Sequence, residues 1–500
     1  MPPWNPLFGN LLSFLPLLKE FPDDAIQNYL VGALNKDFDK SDSLFYIDLW
    51  PFSNPFIVIT TPSLAVQACQ QNDLPKPEML KPFLSPFAGG DNLFTMNGAQ
   101  WKHSRALFSS GFSAGYVMGL MPHIVEEASV FVDVLREHAR KGDLFSLDEA
   151  SLLFTMDVIG AVALNTRFNA QRKPNPFTSA MRSQISWATN GETDELNPFM
   201  RYSPIPPIVK WWNGRIMDKY VSKELDKRFA EWQGNVKDLS SRSIIDLVIR
   251  DYKMENPNAI IMDPVFKKWA IVQIRLFVFA GHDSTGSTIT YCYHLLSQNP
   301  EAMAKIRAEH NTVFGTDLSQ TTRLLLENPN LIHKLPYTQA VQKEVLRMFP
   351  PASGLRRGQP GVSLQDPSGN LYPTENMNLL ILHMILHRHP KYWVSPNSFI
   401  PERWLVGPEH PLYPVKGAWR PFEFGPRSCV GQNLVTLDIT TVLVMTLREF
   451  DVQGAYEEWD ARGLGKSKGV KVVNGERAYQ ISVGAAHPAD GFPCRVQRRK

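Results

Sequence analysis

Apolar residues recur every three to four positions from Val265 to Leu296, the longest periodic run in the chain. Asp263 suits the N-cap of such a helix, Pro264 suits its first position, and Pro300 stops the run. A second periodic stretch, Leu434, Val435, Leu437, Ile439, Val442 and Leu443, predicts a helix that ends near Glu449. A third covers about Leu335–Met348 and is closed by Pro350-Pro351. From about Gly98 to Glu231 the pattern is helical, with loops expected at "KPNPF" and "SPIPP". "SLFYIDLW" and "PFIVITT" predict two short strands, because β-branched and aromatic residues sit between breakers. "AYQISVGAA" reads as part of a β-hairpin. The sum is a mainly α chain with a small β region.

Composition narrows the classes. The chain has 500 residues, 43% hydrophobic and 20% charged, which is ample for a large core. Length alone suggests about three domains, but no linker, repeat or charge run divides the chain, so one large domain stays open. A net charge of +3 with no basic stripe argues against nucleic acid as a partner. The four cysteines, Cys69, Cys292, Cys429 and Cys494, are far apart and form no C-x-x-C. With no N-x-[ST] acceptor either, a reducing compartment is expected. "LLSFLPLL" (Leu11–Leu18) is eight residues, against the roughly 20 of a spanning helix, and is expected to be core. "SPIPPIVKWW" (Ser203–Trp212) reads equally as a membrane-dipping loop or a packed helix junction.

Candidate chemistry starts at "FEFGPRSCVGQNL" (Phe422–Leu434). Gly425 and Pro426 make a loop, and Cys429 follows just ahead of a helix N-terminus, where unpaired N–H groups favour a thiolate. The long helix contains "FAGHDSTGSTI" (Phe279–Ile289), with Gly281 and Gly286 each costing about 1 kcal/mol against alanine. Small residues there let something approach the backbone, and an acid and an alcohol stand beside it, a pair able to pass protons. The alternative is a kinked helix with a solvated polar face. Glu344 and Arg347 share a helix face at i, i+3, a spacing that is usually a weak surface pair. Trp101 and Arg105, at i, i+4, can both donate toward one anion. His383, His387 and His389 in "HMILHRHP" lack the acid of a metal motif and read as structural, and "GLGKS" fails as a phosphate loop.

Taken together these pieces resemble the cytochrome P-450 family. Phe422, Gly425, Arg427, Cys429 and Gly431 reproduce its cysteine-loop pattern F-x-x-G-x-R-x-C-x-G. "AGHDST" is similar to its oxygen-activation stretch, Glu344 and Arg347 to its E-x-x-R pair, "PERW" (Pro401–Trp404) to its later arginine segment, and Trp101 with Arg105 to its W-x-x-x-R element. The resemblance implies a single-domain, mainly α haem-thiolate fold with a long central helix over haem b (iron protoporphyrin IX). Cys429 would be the axial thiolate. Trp101, Arg105, Arg357 and Arg427 would bind the propionates, with Arg357 preferred to Arg356 by its spacing after Pro350. Phe422 would pack on the proximal side, and Gly431 would let the backbone pass close to the porphyrin. Glu344, Arg347 and Arg403 would form a buried structural network. Ala280 and Gly281 would leave room for dioxygen, and Asp283 and Ser284 would stand for the family's acid–alcohol pair, with Thr285 as a second hydroxyl. Serine departs from the usual threonine and loses the methyl that restricts its rotamer.

The resemblance also implies a function. The expectation is a monooxygenase acting on an apolar or aromatic small molecule with O2, fed by a separate NADPH-cytochrome reductase and also by cytochrome b5, with Lys102 among the docking residues. Substrate would meet about 79–97, 197–212, 279–283 and 352–355. The wording "FAGHDST", "HRHPKYW" and "PERWL" resembles filamentous-fungal microsomal members, which implies secondary-metabolite biosynthesis at the cytosolic face of the endoplasmic reticulum membrane. Residues 1–30 are similar to the proline-rich hinge after a membrane anchor, the anchor itself being absent from this chain, and residues 31–500 to the catalytic domain. Rival readings are an oxidative coupling enzyme, an isomerase or dehydratase, a haem-binding sensor, and a haem-free helical scaffold.

Overall fold

The computed structural model describes residues 2–38, 44–193, 203–232, 243–467 and 469–499. The helix Pro264–Gln298 runs through the core. Asp263 caps it, its carboxylate accepting from Val265 N at 2.9 Å and Phe266 N at 3.0 Å. From Ala270 to Leu296 the helix is buried on almost every side, as an apolar surface all round requires. Its closest neighbour is the helix Leu147–Leu164. Two glycines permit that approach. A Cβ on Gly281 would lie 2.7 Å from Ile159 Cδ1, and one on Gly286 would lie 3.0 Å from Leu152 Cδ2. Thr155 Oγ1 seals the crossing by donating to His282 O at 2.8 Å. The helix is unbroken through this stretch, and the small residues serve helix–helix contact.

The fold is mainly α with a small β region. A four-stranded sheet has the order Leu44–Ile47, Phe56–Ile59, Asn378–Ile381, Gly354–Arg357, with only the middle pair parallel. The strands Phe145–Ser146, Pro493–Arg498 and Phe450–Gly454 form a second sheet, and Gln480–Val483 with Ala485–Pro488 form the expected hairpin. The hairpin crosses the long helix, held by Ser287 Oγ donating to Ala486 O at 2.6 Å and Tyr291 Oη to Ala478 O at 3.0 Å.

Three local expectations change. Only Ser203 and Pro204 of "SPIPP" lie outside a helix; Ile205 opens a helix that runs to Glu231, because Pro206 and Pro207 fall in the first turn, where a missing N–H costs no intrahelical bond. The helix after the cysteine loop is Gln432–Thr446, ending three residues before Glu449. "LLSFLPLL" folds as two short 3₁₀ turns, with Leu17 buried but Leu12, Leu15 and Leu18 about half exposed, so most of it is surface and not core. Among the described residues no helix is long and apolar enough to cross a membrane.

Candidate active site

The cysteine loop is a tight backbone construction. Cys429 N donates to Phe422 O at 2.8 Å and Ser428 N to Gly425 O at 3.1 Å. Gly425 has φ +86°, and a Cβ there would lie 2.5 Å from Cys69 O, so the turn requires glycine. Gly431 is the N-cap of the following helix. Of the four cysteines, Cys429 is exposed and the other three are buried. Close protein walls push its thiol pKa up, against the N–H groups of Gly431 and Gln432 and the Arg105 guanidinium, which pull it down. The protein thus supplies three groups that favour a thiolate, and a cation bound at the sulfur would complete the balance.

Around this loop, cationic and hydrogen-bonding donors outnumber acceptors. Helix Gly98–Ser109 carries the buried Trp101 and the half-buried Arg105 one turn apart. The Arg427 guanidinium lies 4.1 Å over the Trp101 ring and donates to Met96 O at 3.1 Å and Asn97 Oδ1 at 2.8 Å. Asn97 Oδ1 also accepts from Lys76 N. One residue earlier, Pro75 O accepts from Arg357 N at 2.8 Å, which ties the strand Gly354–Arg357 to the same corner. Arg357 is exposed. Arg356 is fully buried on the face it shares with Gly354, where a Cβ would collide with Glu423 Oε1. The strand therefore separates the two arginines as alternation dictates. Burial and the neighbouring Arg356 and Arg105 push the Arg427 pKa down to about 10, with Asp73 opposing. Lys76 is pushed down by burial and by Arg356. The indole N–H of Trp101 and the guanidinium groups of Arg105 and Arg357 make no hydrogen bond among the described residues, while the Arg105 carbonyl accepts from Ser109 Oγ at 2.6 Å. A donor set of this kind fits a ligand bearing carboxylates, as a porphyrin with two propionates does.

On the long helix, Ala280 is exposed and Ser284 partly so, on one face at i, i+4, with Ser284 Oγ donating to Ala280 O at 3.0 Å. Gly281 is half-buried and a Cβ on it would meet Ile159, so its small size serves the helix crossing. Asp283 is buried and turned to the hairpin, accepting from Ala485 N and lying 3.4 Å from His487 Nε2. Thr285 is fully buried, its hydroxyl without a partner among the described residues. The open face therefore presents Ala280 and Ser284, with Phe279 beside them stacked on Phe87 at 4.3 Å between ring centroids. His487, and Asp148 beyond it, are functional candidates that the sequence did not flag; no spacing rule connects a C-terminal hairpin to two separate helices.

Glu344, Arg347 and Arg403 come together with no solvent exposure. Glu344 accepts from Arg347 Nε at 3.0 Å and Nη2 at 2.8 Å, Arg403 Nε at 3.1 Å, Trp404 Nε1 at 3.0 Å and Ile400 N at 3.0 Å. Arg347 also donates to the carbonyls of His387, Pro396 and Ser398. Within "HMILHRHP", His383 bridges Glu423 Oε1 at 2.7 Å and Ala352 O at 2.9 Å, and His387 Nε2 accepts from Arg420 N at 2.9 Å. Positions 197–202 of the expected substrate region lie outside the described residues.

A cysteine at a helix N-terminus and the arginines beside it, in a mainly α fold with one long buried helix, are the parts of a haem-thiolate oxidoreductase. The family model described as Cytochrome P450 matches residues 1–481, and the chain belongs to that family. It is 39% identical over 499 residues to the cytochrome P450 monooxygenase polC of Polytolypa hystricis, covering 99% of this chain and 89% of that one. It is 31% identical over 481 residues to the cytochrome P450 monooxygenase acrF of Aspergillus aculeatus, covering 92% and 95%. The crystal structure of the cytochrome P450DA heme domain superposes with a TM-score of 0.74 at 19% identity, covering 100% and 97%, which shows the shared fold. The chain is a monooxygenase whose cofactor is protoporphyrin IX haem bound through cysteine.

Proposed function

We propose that this monooxygenase hydroxylates, or oxidises in a related way, an apolar or aromatic small molecule of fungal secondary metabolism. The observation that carries the reading is Cys429 itself, exposed at a helix N-terminus between two backbone N–H groups and Arg105. Bound there, haem supplies the redox chemistry of oxygen activation. The protein's residues do the rest. Trp101, Arg105, Arg357 and Arg427 would hold the propionates, and Phe422 and Gly431 belong to the loop that would present the sulfur. Ala280 and Ser284 line the open face of the long helix, where the Ser284 hydroxyl, now donating to Ala280 O, would be the group able to donate a hydrogen bond into the site. Phe87 and Phe279 form an apolar wall that excludes water and favours an apolar substrate.

The chain shows no flavin or iron–sulfur motif, which supports a separate NADPH-dependent reductase as electron donor. Attachment to the endoplasmic reticulum membrane is supported by exposed Ile205, Ile208, Trp211 and Trp212, and by Leu12, Leu15 and Leu18. Residues 1–30 act as the hinge segment of the catalytic domain 31–500. They are tied down by Ile26 N donating to Gln480 O at 2.9 Å and by the Tyr479 Oη bond to Asp24 at 2.6 Å. The test is a spectral-shift screen of the purified protein against fungal metabolite extracts, followed by turnover with reductase, NADPH and isotopic dioxygen. Label in the product supports insertion; an unlabelled product points to coupling or isomerisation.

A further inference from the structure

Within the cysteine loop, Glu423 has φ +55°, a left-handed backbone that a long side chain rarely adopts. Glycine takes such a conformation without strain, as Gly425 does at φ +86°. An outlier of this kind persists where its surroundings hold it, and here the side chain is what is held. It is 11% exposed. Glu423 Oε1 lies 2.7 Å from His383 Nε2, and Oε2 accepts from Arg420 Nη2 at 2.6 Å, Arg420 Nε at 3.2 Å and Phe424 N at 3.3 Å. The two partners are themselves fixed, with His383 Nδ1 2.9 Å from Ala352 O and Arg420 N donating to His387 Nε2 at 2.9 Å. Gly354 leaves the Oε1 atom space that any Cβ would fill.

Arg356 and Arg420 are fully buried beside this carboxylate. Arg356 makes one side-chain bond, from Nη1 to Leu355 O at 2.8 Å; its Nε and Nη2, and Arg420 Nη1, have no partner among the described residues. Burial opposes the Glu423 charge, but His383, Arg420 and Arg356 outweigh it and hold the carboxyl well below the usual carboxylate range. The backbone carries this anchorage to the sulfur. Glu423 N donates to Arg420 O at 2.9 Å, and the carbonyl of the residue before it, Phe422, is the acceptor of Cys429 N. Through His383 and Ala352 the same carboxylate reaches the chain that enters the strand Gly354–Arg357.

We propose that Glu423 is a positioning residue for the iron ligand. Its carboxylate fixes the Phe422 carbonyl that holds Cys429 N, and it locks the cysteine loop to the strand that carries Arg357. The sulfur and a propionate-binding guanidinium are thereby kept at one spacing, that of the two ends by which haem is held. The buried charge has a second effect. Reduction adds an electron to the iron, and an anion held in the same loop, away from water, opposes it. The glutamate therefore keeps the iron potential low as well as the loop in place.

The inference rests on Cys429 as the axial ligand, and its test separates the two. Ferrous carbonyl spectra and redox titrations are compared for the wild type, E423Q and E423G. E423Q removes the charge and keeps the shape, whereas E423G removes the carboxylate and relaxes the backbone. Both variants should lose the sulfur-type carbonyl band at least about tenfold faster than the wild type, and should transfer haem to apomyoglobin correspondingly faster. The iron potential of the holoprotein that remains should move positive in both, a shift that a purely structural role would not produce. Wild-type band lifetime in both variants, or an unchanged potential, overturns the inference while leaving Cys429 as the ligand. So does an E423G protein more durable than the wild type, which would make backbone strain the main consequence of the glutamate. A wild-type protein without the sulfur-type band would instead remove the Cys429 reading, and this inference with it. If neither variant folds, H383A decides, because it leaves the loop sequence intact and frees Glu423 Oε1. Faster loss of the band in H383A supports the bridge, and a band as lasting as that of the wild type overturns it.

Discussion

Glu344 accepts five hydrogen bonds in a site without solvent, and it pairs with two buried guanidinium groups, those of Arg347 and Arg403. E344Q should cost about 3–5 kcal/mol, because it strands those cations. Urea unfolding measures the loss, and haem content after purification should drop with it. Glu127 behaves oppositely. Burial, then the neighbouring Asp157, raise its pKa to about 7. A carboxyl raised in the fold holds its proton longer folded than unfolded, so its contribution is present near pH 4.5 and is lost as pH rises through 7. E127Q should therefore remove that slope and be more stable than wild type at pH 8 by about 1–3 kcal/mol. Equal stability at pH 8 would contradict the shift. At this scale the sequence revealed Cys429, Glu344 and Arg427 because a fixed motif holds each of them. It could not reveal what Asp283 faces, since His487 and Ala485 reach it through tertiary folding alone.

Among the elements, the crossing of the long helix with Leu147–Leu164 is the most demanding contact. G281A gains helix propensity of about 1 kcal/mol, yet its methyl meets Ile159 at 2.7 Å. The net effect should be a loss of about 1–3 kcal/mol from overpacking. Adding I159V should restore part of it, which a thermal double-mutant cycle measures; independent, additive losses would contradict the contact. The element pattern was legible where caps and breakers agreed with periodicity, as at Asp263-Pro264. It misled at Ser203–Pro207, where prolines open a helix, and it could not decide Gly281, where small size reads the same whether a ligand or a neighbouring helix approaches.

For the whole molecule, the apolar side chains left outside are as informative as the core. Trp211 and Trp212 are 57% and 59% exposed, and Leu15 is 56% exposed. W211S with W212S should weaken binding to phosphatidylcholine vesicles at least about threefold in a flotation assay, without lowering haem content; unchanged flotation would remove these tryptophans from the membrane contact. The P450 fold was legible at this scale because its motifs stand in order along the chain. The exposure of Leu12, Leu15 and Leu18 was not, because an apolar run carries no label for core or surface.

The account turns on the bond between iron and the Cys429 sulfur. The carbon monoxide difference spectrum of the reduced wild-type protein, beside that of C429A, tests it directly. A red-shifted Soret band in the wild type that disappears in C429A, along with most of the bound haem, is the predicted result. A wild-type band at the position typical of nitrogen ligation, or an unaltered red-shifted band in C429A, would contradict it.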